Sequence, residues 1–131
     1  MYTDEESKIL KVFDLKSFEG LEKLTWIKIS EYRYLSEEFM EKYSNFLIWR
    51  ILSEVQKFSE EFIERNSDLV FWSYISANQD LSEGFILEHY RKLNMTLVSS
   101  NQDLSISFIK KNYKILDLNA LPEVTKYYIF L

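Results

Sequence analysis

The sequence predicts an all-α protein: an α-solenoid, of right or left hand, built from stacked two-helix repeats between degenerate N- and C-terminal caps. Three observations lead there. The chain of 131 residues holds 2 glycines and 1 proline, whereas β-rich domains rely on glycine for tight turns of positive φ. Its punctuation is Ser, Asn and Asp, the residues that cap helices. The hexamer Leu35-Ser36-Glu37-Glu38-Phe39-Met40 returns from Phe58, Leu81 and Leu104, so the copies start 23 residues apart. Other columns keep the same period without an insertion: Trp26, Trp49, Trp72 and Met95; Ile29, Leu52, Ile75 and Val98; Ser30, Ser53, Ser76 and Ser99; Gln56, Gln79 and Gln102. A fixed period of this size marks repeat architecture.

Residues 1–25 carry only part of the pattern and read as the N-terminal cap. Val12 falls on the column before the capping serine, but Lys16 and Ser17 stand where Phe and Ile recur. Four units follow, at 26–48, 49–71, 72–94 and 95–117. In each, Ser36, Ser59, Ser82 or Ser105 is placed to accept from a free amide at the start of a short helix A. Glutamates after the first caps complement the positive helix end. The apolar residue before the cap and the one four after it (Leu35 and Met40, Phe58 and Ile63, Leu81 and Ile86, Leu104 and Ile109) form a hydrophobic staple. Helix A is expected to run seven or eight residues, for example from Glu37 to Tyr43. Ser44-Asn45 and Ser67-Asp68 are expected to cap a helix B, for example from Phe46 to about Val55. One such unit cannot bury both sides of its apolar face, so neighbours must stack. The serine column predicts a bond to the carbonyl four residues back or close helix approach, and the glutamines predict backbone bonds at the corner between helices. Residues 118–131 are the C-terminal cap. There Leu121 continues the aliphatic column, Pro122 is expected to end the helix, and Tyr127 to Leu131 are expected to pack over the last repeat, the alternative being that they are available to a partner. The expectation is one domain, 1–131.

The unit from Trp72 to Ile86, Trp-x-x-Ile-Ser-x-x-Gln-x-Leu-Ser-Glu-x-Phe-Ile, resembles a short helical repeat found in hypothetical proteins of bacteriophages and large DNA viruses. The resemblance spans residues 26–117. In the fourth repeat Met95 replaces Trp, and Ile106-Ser107 replaces the acidic pair. The resemblance implies a viral or phage origin and a role in binding host machinery. It brings no catalytic residues with it.

Composition narrows the chemistry. Cysteine is absent and histidine is single, His89, which removes thiol nucleophiles and sites with two His ligands. His89 reads as a polar residue at the end of a helix A, in a column with Tyr43, Asn66 and Asn112. No phosphate-binding glycine loop is present. Catalytic residues, metal ligands and cofactors are therefore not expected, and the protein is read as non-enzymatic. The formal charge of −5 gives no general attraction to nucleic acid. No apolar run approaches the roughly 18 residues of a membrane span, and the acidic start Met1 to Glu6 is unlike a signal peptide. A soluble protein of the host cytoplasm is the expectation.

The reading of function is a protein-binding repeat module, an inhibitor of a host defence or regulatory protein in the manner of anti-CRISPR proteins, acting by surface occlusion. Self-assembly of a structural viral protein, with a homodimer through a terminal cap, and acidic mimicry of nucleic acid are the alternatives. In a solenoid the variable exposed positions meet the partner, and tyrosine and arginine are preferred anchors. The candidate contacts are Tyr32, Tyr34, Tyr43, Arg50, Tyr74, Tyr90 and Tyr113, with Glu60, Glu61 and Glu64 from the acidic row.

Overall fold

A computed structural model describes residues 1–129. Those residues form ten α-helices and two 3₁₀ turns, with no strand among them. The chain divides into two compact units, Met1–Phe58 and the residues from Ser59 onward.

The first unit opens with α1 (Asp4–Val12). Thr3 caps it in a capping box: the Thr3 hydroxyl accepts from the Glu6 amide and the Glu6 carboxylate accepts from the Thr3 amide. Two such reciprocal bonds satisfy two orphan donors of the first turn. Then come α2 (Lys23–Ser30), α3 (Glu37–Lys42) and α4 (Trp49–Val55). The core gathers Ile9, Leu10, Phe18, Trp26, Ile29, Phe39, Met40, Trp49 and Leu52. Tyr43 joins it, with its ring 4.6 Å from Phe39 and 4.7 Å from Phe18.

The second unit holds α5 (Glu60–Arg65), α6 (Trp72–Asn78), α7 (Glu83–His89), α8 (Met95–Asn101), α9 (Ile106–Lys111) and α10 (Glu123–Ile129). Phe62, Ile63, Ile75, Phe85, Ile86, Val98, Phe108, Ile109 and Leu121 are buried there. α6 packs on α8, its equivalent one repeat later, as α2 packs on α4 in the first unit. Helices of six or seven residues are too short to hold alone, so contact between equivalent helices supplies the stability.

Each staple serine caps its own helix: Ser36, Ser59, Ser82 and Ser105 accept from the amides of Phe39, Phe62, Phe85 and Phe108 at 3.0 to 3.1 Å. The buried serine column does two jobs at once. Ser30 donates to the Trp26 carbonyl at 2.7 Å and accepts from the Ile48 amide at 2.9 Å. Ser76 repeats this with Trp72 and Asn94, and Ser99 with Met95 and Asp117. Gln56 accepts from the Leu35 amide and donates to the Ser30 and Tyr32 carbonyls. Gln102 does the same for Leu81, Ser76 and Gln79.

Four expectations are corrected. Helix B begins at Trp49 and Trp72, not at Phe46 or its equivalent. Its preceding residues Ile48 and Phe71 make no side-chain cap of their own, and the Ile48 amide is met by Ser30 from the repeat before. Ser44-Asn45 and Ser67-Asp68 lie in the turn. Pro122 does not end a helix: its carbonyl accepts from Thr125 and Lys126 at the start of α10, where a residue lacking N–H fits. The C-terminal segment does pack on the last repeat, α10 lying against α9, but not through its tyrosines: Tyr127 and Tyr128 are exposed and no residue of α10 is fully buried; Phe130 and Leu131 lie outside the described residues. The first-turn glutamates do more than face the helix dipole. Glu60 accepts from the Ser82 amide at 2.6 Å and its hydroxyl at 2.9 Å, and Glu83 from the Ser105 amide at 2.7 Å. Within the second unit, α5 and α7 thus each grip the cap of the next helix A.

The N-terminal cap supplies this grip from a different place. Asp14 holds the glutamate's register but sits in a turn at φ 53. Glu5 of α1 takes over, accepting from the Ser36 amide at 2.7 Å.

Candidate functional site

The corner between α2 and α3 departs from the repeat. Where the later units carry Gln and then Lys57, Asp80 or Asp103, the first carries Arg33 and Tyr34. α2 ends at Ser30, and the amide of the following Glu31 bonds back to the Ile27 carbonyl. The chain then turns through Tyr32 and Arg33, and Tyr34 takes a left-handed φ of 72. A tyrosine in that region is held against a cost of about 1–2 kcal/mol, because Cβ crowds the following carbonyl. It is also 87 % exposed, so no packing of its ring accounts for the conformation. The positions of equal register, Lys57, Asp80 and Asp103, are free of it.

Tyr34 stands at the rim of an open groove of about 790 Å³. Glu31, Arg33, Tyr34 and Leu35 form one wall; Arg50, Ile51, Glu54 and Val55 of α4 form the other, and Gln56 and Lys57 close it. Gln56 ties the walls together through its three backbone bonds, of which that to Tyr32 is 2.6 Å. Arg50 and Glu54 pair at 3.7 Å one helical turn apart. Three cations (Arg33, Arg50, Lys57) thus line the groove with two carboxylates (Glu31, Glu54) and the apolar Leu35, Ile51 and Val55, in a chain of net charge −5. The groove offers an aromatic ring, a short aliphatic surface and guanidinium forks, the last of a geometry suited to carboxylates.

Of the residues singled out from sequence, the groove brings together Tyr34 and Arg50. Tyr32 lies beside it, half-buried, its ring 5.8 Å from Phe13. Tyr43 is corrected: it is buried, its hydroxyl donating to the buried Glu6, so its ring and hydroxyl serve the fold. Tyr74 and Tyr90 are half-buried, and Arg91 lies against the Tyr90 ring at 5.6 Å. Tyr113 is exposed. Glu60 is engaged by Ser82, Glu61 is exposed, and Glu64 lies 3.1 Å from His89. Arg33 and Lys57 were missed. The signal for Arg33 was available, since it breaks the glutamine column.

No family model matches the chain, and no curated protein or solved structure matches it.

Proposed function

We propose that the protein is a non-enzymatic binding module whose two-helix repeats continue as an α-solenoid, and that it holds a partner protein through the Tyr34 groove. The partner segment pairs acidic side chains with Arg33, Arg50 and Lys57, and sets an apolar side chain against Ile51 and Val55. The observation that carries this reading is Tyr34, exposed and kept in a strained backbone at the one corner that breaks the repeat. Strain that nothing in the packing requires is the mark of a functional constraint. Occlusion of a host defence or regulatory protein by a viral binder is the biological form of this proposal.

A single substitution separates the roles of Tyr34. Tyr34→Gly is expected to stabilise the fold by about 0.5–1 kcal/mol, since glycine adopts positive φ freely. The same change removes the ring and is expected to weaken partner binding at least about tenfold. Tagged wild type should retain a stoichiometric partner from host-cell lysate, while Tyr34→Gly and Arg50→Ala should lose it and Asn119→Ala keep it. Thermal melts read the first effect and capture the second. A partner held equally by both groove variants places the contact elsewhere.

Self-association is the second reading, favoured by the exposed Val124, Tyr127 and Tyr128 of α10. Light scattering tests it: a mass that rises with concentration and falls back in Tyr127→Ser/Tyr128→Ser supports it. Acidic mimicry has less support, because Glu60 and Glu83 are engaged by serine caps within the second unit.

A further inference from the structure

We propose that Glu64, Glu88 and His89 form a site for one divalent transition-metal ion of the zinc type. One ligand atom from each of the three lies within 4.8 Å of the others. Glu64 comes from the last turn of α5, and Glu88 and His89 from the last turn of α7. Tetrahedral zinc bonds at 2.0–2.2 Å set ligand atoms about 3.3 Å apart. The His89 Nε2 to Glu64 Oε1 separation is already 3.1 Å. Both glutamates are exposed, so rotation of their side chains closes the remainder.

The histidine is held for this task. Its ring lies 4.3 Å from Phe85 and 5.7 Å from Trp72, and its side chain is only 15 % exposed. Its column neighbours behave differently. Asn66 and Asn112 turn back and donate to the carbonyls of Phe62 and Phe108 on their own helices. His89 instead points Nε2 across to the neighbouring helix.

Glu88 is the second independent departure. The same register holds Lys42, Arg65 and Lys111 in the other repeats, cations where the negative end of a helix favours them. Only the third repeat places a carboxylate there, beside a further carboxylate, and a bound cation relieves that arrangement. One imidazole nitrogen with two carboxylates suits zinc, cobalt or nickel; calcium and magnesium take oxygen ligands throughout.

The test uses full-length, tag-free protein stripped with a chelator. Zinc titrated by calorimetry is expected to bind at one ion per chain with a dissociation constant in the micromolar range, undisturbed by excess magnesium. Because His89 is the only histidine, its ring resonances report binding directly and should shift on saturation. His89→Ala, Glu64→Gln and Glu88→Lys should each weaken binding at least about tenfold. Glu88→Lys restores the column's cation and should keep the wild-type melting behaviour, so its loss of zinc is not a loss of fold. Absence of saturable binding below millimolar zinc, or binding that survives His89→Ala and Glu88→Lys, overturns the proposal.

Discussion

Gln56→Leu is expected to destabilise the protein by about 3 kcal/mol, with nearly no change in side-chain volume. Gln56 is 4 % exposed. Its carboxamide accepts from the buried Leu35 amide at 3.2 Å and donates to the Ser30 and Tyr32 carbonyls at 3.3 and 2.6 Å. Leucine fills the space and strands all three groups. A buried polar group left without a partner costs about 1–3 kcal/mol, more than the net gain of forming the bond. Urea unfolding of both proteins measures the difference at the midpoint. Gln102→Leu should cost less, about 2 kcal/mol, because its corner is only half-buried and water can meet part of the demand. Equal and small losses at both positions would show that the glutamine column follows the repeat without supporting it. The groove adds a second readout, since Gln56 joins its walls: Gln56→Leu should weaken partner capture although it removes no exposed contact.

The repeat was legible because its marks are local. A serine cap, a staple and a returning aromatic lie within one or two turns of each other, and short-range geometry settles what they do. What was not legible is the traffic between repeats. Glu60 looks the same in sequence whether it faces the helix dipole or reaches Ser82, because both need a carboxylate in the first turn. The start of helix B was misplaced for a related reason. A local rule looks for a cap in Ser44-Asn45, whereas the amide of Ile48 is met by Ser30, 18 residues earlier. Tyr43 was taken for a surface anchor because nothing near it in sequence names the buried carboxylate it meets, Glu6. The candidate site followed the opposite logic. Its informative residues break the columns: Arg33 for glutamine and Tyr34 for Lys or Asp; in the second unit, and apart from this site, Glu88 likewise stands in for Lys or Arg. A repeat defines an expectation at each register, so a departure stands out against a packing role. Convergence is a property of three dimensions, and only the folded chain brings Arg50 and Lys57 to the groove that Arg33 and Tyr34 line.

Glu6→Ala is expected to destabilise by about 3 kcal/mol at neutral pH and by progressively less in acid. Glu6 is 2 % exposed, bonded to Lys42 Nζ at 2.8 Å, to the Thr3 amide at 2.9 Å and to the Tyr43 hydroxyl. Removing one member of a buried, hydrogen-bonded charge cluster leaves the others uncompensated, which costs about 3–5 kcal/mol in deep interiors. The lower end applies here, because Lys42 is 56 % exposed and keeps its water. Burial alone would raise the carboxyl's pKa; the bonds from Lys42, Thr3 and Tyr43 together outweigh it and lower the pKa from 4.5 to about 2. A pKa depressed by folding means that the unfolded chain binds the proton first. The contribution is therefore complete above about pH 4.5 and is lost as pH falls toward about 2. Tyr43 gives the opposite edge. Burial first, and then Glu6, pushes its phenol above the ordinary 10.0, so its contribution is complete below that pH and lost as the solution becomes strongly alkaline. Unfolding curves of wild type and Glu6→Ala at pH 7, 4 and 2.5 test the acid limb, and their separation should shrink at each step. A separation that stays constant to pH 2.5 would mean that Glu6 acts through packing alone. The N-terminal cap would then hold the first repeat without help from its charge.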